Sequence, residues 1–180
     1  PLEERRASGR EQKEAIAKLA QAHIADGDTV FLDGGTTTAA LARHLAGKDV
    51  HVVTNNLMVV TSLAAGGIPV TLIGGDVRPS SMSTLGPLAQ LSLSRVSVDK
   101  AFLSADGVVA TNGLCEASAD QAYLKECVIR QAALVFVLAT ADKLGRATQQ
   151  HWTPIERPWT LITDNGASPD QLDPFHERDE

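Results

Sequence analysis

"TVFLDGGTTTAALARHL", Thr29 to Leu45, runs a short apolar segment into two glycines and three consecutive threonines, then into a helical pattern carrying Leu41 and Leu45. A strand handing over to a helix through the six residues Asp33 to Thr38, an acid followed by five small ones, has two readings. One is a tight turn capped by Thr. The other is an anion site, because glycines let the backbone approach a ligand closely and a helix start offers unpaired N–H groups and a positive dipole end.

The same alternation recurs along the chain. "VHVVT" leads to Asn55 and Asn56 and a helix from Leu57 to Ala65; "IPVTLI" leads to "GGDVRPSSMSTLG". "KAFLSA" leads to "DGVVATNGLCEAS" and a helix from Asp120 to Ala132, and "LVFVLAT" leads to "ADKLGR". Near-continuous apolar runs alternating with amphipathic stretches predict an α/β protein with a mostly parallel sheet flanked by helices. Upstream, residues 1–10 are charged and unpatterned and read as a linker arm. From Glu11 the positions Ile16, Leu19, Ala20, His23 and Ile24 fall at helical spacing, until "DGD" at Asp26 to Asp28 ends the helix.

In parallel α/β sheets ligands bind beyond the carboxyl ends of the strands, and each polar, Gly-rich stretch quoted above follows a strand. Five loops are therefore expected to share one rim: Asp33 with Gly34, Gly35, Thr36, Thr37 and Thr38; Thr54 with Asn55; Gly74 and Gly75 with Arg78; Ser104 with Asp106 and Gly107; and Asp142 with Lys143. Glycine N–H groups and Thr hydroxyls suit phosphate oxygens, with Arg78, Lys125 and Lys143 as cations in reach. Asn55, Asp106 and Glu116 can bracket sugar hydroxyls. Aromatic residues make up only 4% of the chain, which leaves little for a nucleobase to stack on. The expected ligand is a small polyhydroxylated anion.

Composition excludes several other classes. The 180 residues suffice for one domain with its own core, and the net charge of −6 argues against a basic DNA-gripping face in this chain. No apolar run is long enough to cross a bilayer and the charged start does not resemble a signal peptide, so a cytoplasmic location without membrane contact is expected. Cys115 and Cys127 do not form a CxxC pair and the five histidines are scattered, so no metal and no cofactor are expected. "GGTTT" lacks the Gly-Lys-Ser/Thr ending of a P-loop, and neither GxGxxG nor GxSxG is found where its chemistry requires it. One enzyme reading remains as the alternative: Asp106, Glu116 and Lys125 lie in one loop-helix unit and could move protons in a sugar-phosphate isomerisation.

Six segments in order, "FLDGGTTTAALARHL", "VVTNNLMVV", "LIGGDVRPSSMSTLGPLA", "DKAFLSADGV", "GLCEASADQAYLKECVI" and "VLATADKLGR", resemble the effector-sensing domain of DeoR-family bacterial transcriptional regulators from about Arg5 to Asp164. The resemblance implies a fold related to ribose-5-phosphate isomerase and a phosphorylated sugar as effector. It also implies a homo-oligomeric repressor whose DNA-reading winged helix-turn-helix lies upstream, with residues 1–10 as the linker to it and residues 11–180 as the sensing domain. By position it places a phosphate loop on Asp33 to Thr38, an Asn loop on Thr54 and Asn55, a Gly-Gly-x-x-Arg loop on Gly74, Gly75 and Arg78, a helix lysine on Lys125 and a final loop on Asp142 and Lys143. In that last loop Ala141 and Asp142 stand where the family often has two serines.

Overall fold

The computed structural model describes residues 2–176. Pro1 of the expected arm and residues 177–180 of the expected sensing domain lie outside the described residues. A six-stranded, all-parallel sheet forms the centre, with strand order β11-β9-β6-β1-β2-β3. Its members are β1 (Thr29–Leu32), β2 (His51–Thr54), β3 (Val70–Leu72), β6 (Val98–Leu103), β9 (Ala132–Leu138) and β11 (Thr160–Ile162). The expected parallel sheet is therefore present, with β11 as a sixth strand that periodicity alone does not reveal.

Strand alternation explains why both faces are covered. Val30 and Leu32 of β1 face one core, with α2 (Arg10–Gln21), α3 (Thr36–Ala42) and α4 (Leu57–Ala65) over it. Phe31, one residue between them, faces the other core, under α5 (Pro87–Leu93) and α6 (Ala119–Gln131). Side chains of successive strand residues point to opposite faces, so one apolar run serves both layers. Phe31 and Leu32 are completely buried, and each such side chain stabilises the fold by about 1.5–3 kcal/mol.

Four findings depart from the sequence reading. The arm expected to be unpatterned is helical over α1 (Leu2–Ala7), none of whose residues is buried, and it breaks from α2 at Gly9 in the left-handed conformation (φ 63°). "DGVVATNGLCEAS", read as a loop, contains two strands, β7 (Gly107–Val109) and β8 (Gly113–Glu116), which pair antiparallel with each other, β8 pairing antiparallel on its other edge with β10 (His151–Thr153). "GGDVRPSSMSTLG" likewise closes into a hairpin of β4 (Asp76–Arg78) and β5 (Ser83–Leu85). Of the helical positions expected to pack, Ile16 and Ala20 are buried, while Leu19 is exposed and His23 lies beyond α2 with its ring 4.9 Å from that of Phe136. Among the described residues no helix is long and apolar enough to cross a membrane.

Candidate functional site

The chain runs from β1 outward to β2 and β3 and then returns to β6 on the other side of β1. The loops leaving β1 and β6 consequently diverge to opposite faces of the sheet, opening a crevice at their carboxyl ends. Asp33, directly after β1, closes the base of this crevice. It is buried, its Oδ1 accepts from Gly34 N–H at 2.8 Å, and its Oδ2 accepts from Ser104 N–H, after β6, at 3.1 Å. Above it lies a cavity of about 560 Å³.

The Gly-Thr loop is held from behind. Thr38 Oγ1 donates to the Asp33 carbonyl at 2.6 Å, and Asn56, the N-cap of α4, donates its Nδ2 to the carbonyls of Asp33 and Gly35. Gly34 and Gly35 are required by space: a Cβ on Gly34 would lie 2.8 Å from Ser83 Cβ, and one on Gly35, at φ 147°, would lie 2.7 Å from Ser104 Oγ. Thr36 and Thr37 face the cavity instead, and neither hydroxyl has a hydrogen-bond partner among the described residues. The three threonines thus divide into one that builds the loop and two that present donors and acceptors to the crevice.

Other loops complete the walls. Asn55, after β2, is buried and lines the cavity; its Nδ2 donates to the Thr84 carbonyl at 3.0 Å, but its buried Oδ1 accepts from nothing among the described residues. A buried acceptor without a partner is costly, so this atom awaits a donor from the cavity. Glu116 ends β8 and Lys125 sits on α6; both are almost fully buried and meet at Lys125 Nζ, which also donates to the Ser104 carbonyl and lies 3.0 Å from Asp33 Oδ2. Burial pushes the Glu116 carboxyl up to about 7, with Lys125 opposing the rise and Asp33 and Asp106 adding to it. Burial also works against the Lys125 charge, but Asp33 and Glu116 outweigh it and hold the ammonium protonated. An ammonium has three donors, and here the protein uses all three.

The expected residues separate accordingly. Asp33, Gly34, Gly35, Thr36, Thr37, Asn55, Asp106, Glu116, Lys125 and Lys143 line one cavity. Thr38, Thr54, Gly74, Gly75, Arg78 and Gly107 do not. Thr54 Oγ1 is turned into the sheet, donating to the Leu32 carbonyl at 2.6 Å. A Cβ on Gly75 would lie 2.5 Å from the Leu85 carbonyl oxygen, and one on Gly107 would lie 1.9 Å from that of Arg146, so both glycines serve close packing. Arg78, expected as a phosphate cation, instead ties the β4–β5 hairpin to the start of α6, donating to Ser118 Oγ at 3.1 Å and Gln121 Oε1 at 2.6 Å. Its place in the cavity wall is taken by Ser81 and Ser83 from the same hairpin, and by Arg5 and Lys13 from the N-terminal helices. Lys13 carries a signal in the sequence: Lys13, Ile16, Ala17 and Ala20 form one helical stripe, and all four are buried. The described residues hold no group of three or more His, Cys, Asp or Glu placed to bind a metal ion.

Residues 8–165 match the DeoR C terminal sensor domain. The chain belongs to this family. The sensor domain is 34% identical over 167 residues to the HTH-type transcriptional repressor GlcR of Bacillus subtilis, a match covering 91% of this chain and 64% of that protein. It is 31% identical over 185 residues to the lactose phosphotransferase system repressor of Lactococcus lactis, covering 98% and 72% respectively. The sensor domain therefore spans roughly two thirds of the length of the transcriptional regulators it matches. Its fold is that of ribose 5-phosphate isomerase A from Methanocaldococcus jannaschii, with a TM-score of 0.56 at 22% identity over 76% of this chain and 55% of that one.

Proposed function

We propose that this domain senses a phosphorylated sugar in the crevice above Asp33 and passes its occupancy to a DNA-reading module in the same regulator. One observation carries the ligand: the buried Asn55 Oδ1 without a donor shares a cavity with the unpartnered hydroxyls of Thr36 and Thr37. An oxygen-rich ligand satisfies all three, its hydroxyl donating to Asn55 and its phosphoryl oxygens accepting from the threonine hydroxyls and from the N–H groups of Gly35, Thr36 and Thr37. Lys125 acts on that loop indirectly, fixing Asp33, because its own donors are committed. Both relatives are named as repressors, and one of them as the repressor of the lactose phosphotransferase system, which supports the same reading at the level of the whole regulator. Occupancy changes DNA affinity if the ligand binds one arrangement of the regulator better than another. The working form is a cytoplasmic homo-oligomer on paired half-sites.

A melting screen against phosphorylated and unphosphorylated sugars tests the assignment. Ligand at about one hundred times its dissociation constant adds about 2.7 kcal/mol and raises Tm by roughly 5–11 °C for a domain of this size. Stabilisation by unphosphorylated sugars alone overturns the phosphate assignment. The isomerase reading draws on the Glu116 carboxyl near 7, a value suited to a base. A shared fold does not carry a reaction, and the Lys125 ammonium has no donor left for a substrate carbonyl. Incubation with ribose 5-phosphate in heavy water is expected to leave the substrate free of deuterium; incorporation restores the enzyme reading.

A further inference from the structure

Gln121 lines the crevice and has no part in the proposed function. It sits in the first turn of α6, three residues after the N-cap Ser118, and its side-chain Oε1 accepts from Arg78 Nη1 at 2.6 Å and from Ser118 Oγ at 3.2 Å. An arginine nitrogen can only donate, so the Gln121 atom beside it is the amide oxygen. Two donors fill that oxygen, and the NH2 group is the end left over. Gln121 Nε2 donates to nothing among the described residues. With Ser118 Oγ on the same oxygen, the amide keeps its orientation even without Arg78. A half-buried amide whose oxygen is tied and whose nitrogen is open is a donor oriented before any ligand arrives.

A chain of contacts fixes where this donor stands relative to the Gly-Thr loop. Gly34 lies against Ser83, since a Cβ added to Gly34 would be 2.8 Å from Ser83 Cβ. Ser83 pairs with Arg78 across the β4–β5 hairpin, and Arg78 reaches Gln121. The loop and the amide are thus separated by the width of one strand pair, about 5 Å, and the reach of one arginine side chain. Asn55 holds the Thr84 carbonyl of the same hairpin and offers its open Oδ1 to the same cavity. A sugar body joined to a phosphoryl group on the loop therefore meets an acceptor at Asn55 and a donor at Gln121, and hydroxyls can answer both.

We infer that Gln121 is a specificity-determining residue of this crevice, its Nε2 donating to an oxygen of the sugar body while the Gly-Thr loop holds the phosphoryl group. The inference rests on the sugar-phosphate reading and deepens it: the ligand presents an acceptor oxygen at the Gln121 end as well as the hydroxyl donor required at Asn55, so recognition extends from the phosphoryl group to the sugar itself.

Isothermal titration of the full chain with glucose 6-phosphate, galactose 6-phosphate, fructose 6-phosphate and ribose 5-phosphate, set against inorganic phosphate, tests this role. Inorganic phosphate carries the group the loop holds and no sugar body. Gln121→Met removes the donor together with the oxygen that Arg78 uses; Gln121→Glu keeps an oxygen for Arg78 and Ser118, and so decides the matter if the first variant loosens the hairpin. Each variant is expected to weaken the sugar phosphate that binds by about fivefold more than it weakens inorganic phosphate, as the loss of one hydrogen bond provides. Arg78→Gln breaks the same tie to the hairpin and spares the donor, so it is expected to leave that ratio unchanged. Sugar phosphate and inorganic phosphate weakened alike, or a ratio that moves as far in Arg78→Gln as in the Gln121 variants, overturns the role and leaves the sensing reading standing. The same outcome follows if none of the four binds while another phosphorylated sugar stabilises the domain. If no phosphorylated sugar stabilises it, both readings fall.

Discussion

Thr37 and Thr38 are adjacent, both buried, and predicted to fail in opposite ways when changed to Val, which keeps the shape and removes the hydroxyl. The Thr38 hydroxyl has one proton, directed at the Asp33 carbonyl at 2.6 Å with the Gly35 carbonyl at 3.1 Å. Asn56 Nδ2 still reaches both carbonyls in the variant, at 3.2 and 3.1 Å, so neither is stranded. The expected loss is therefore that of one buried hydrogen bond, about 1 kcal/mol, or roughly 2–4 °C in Tm. The Thr37 hydroxyl donates to nothing among the described residues, so Thr37→Val is expected to stay within about 0.5 kcal/mol of the parent in urea unfolding. Its cost falls on the ligand instead: a lost hydrogen bond to a charged phosphoryl oxygen lowers affinity by roughly 10- to 150-fold. Urea melts and calorimetric titration on the two variants separate these effects. A Thr37→Val protein that binds as tightly as the parent, or a Thr38→Val protein of unchanged stability that no longer binds, would falsify the division of labour within the loop.

Gly35→Ala, at φ 147° with Ser104 Oγ 2.7 Å from the new methyl, is expected to cost about 1–3 kcal/mol in backbone strain alone and to weaken sugar-phosphate binding; unchanged melting and binding would refute the close approach. Glu116→Gln tests the buried carboxyl. Its folded pKa near 7 exceeds the ordinary value of 4.5, so the folded state holds this proton more tightly than the unfolded chain and loses that advantage as pH rises from about 4.5 through 7. The stability difference between variant and parent should thus move in the variant's favour between pH 5 and pH 8, and a difference independent of pH refutes the shift. Lys125→Met leaves the Asp33 and Glu116 carboxylates buried and facing each other, and is expected to lose about 3–5 kcal/mol in denaturant melts; a loss under 1 kcal/mol contradicts the ion-pair geometry. Arg78→Gln should lower stability through the Ser118 and Gln121 contacts while leaving ligand affinity within about twofold, and a binding defect without a melting defect would return Arg78 to the site.

Much of the sheet is legible because its strands are short apolar runs whose side chains must fill two cores, as at Val30, Phe31 and Leu32. The rim is legible too, since the direction of a parallel strand places Asp33, Asn55, Asp106 and Lys143 at the same edge. The antiparallel sheet is not, because Cys115 finds Trp152 across 37 residues and strands of three or four residues around glycines leave no periodic trace. Arg78 misleads for a related reason. A loop arginine reads as an exposed cation, and the acceptors that occupy it, on Ser118 and Gln121, are 40 and 43 positions away. Lys13 could have been found, as the single charge on an apolar stripe. What hides its role is α1, which folds back at Gly9 to supply the carbonyls that Lys13 binds.

The Gly-Thr loop takes its rigidity from side chains no ligand reaches: Thr38 and Asn56 grip its carbonyls, and Thr54 locks the strand beneath. Shape and taste are thereby assigned to different positions. Substitutions at Thr36, Thr37 or Asn55 can retune which molecule is welcomed without loosening the frame, so descendants of one such scaffold are able to diversify their diets while keeping the same mouth.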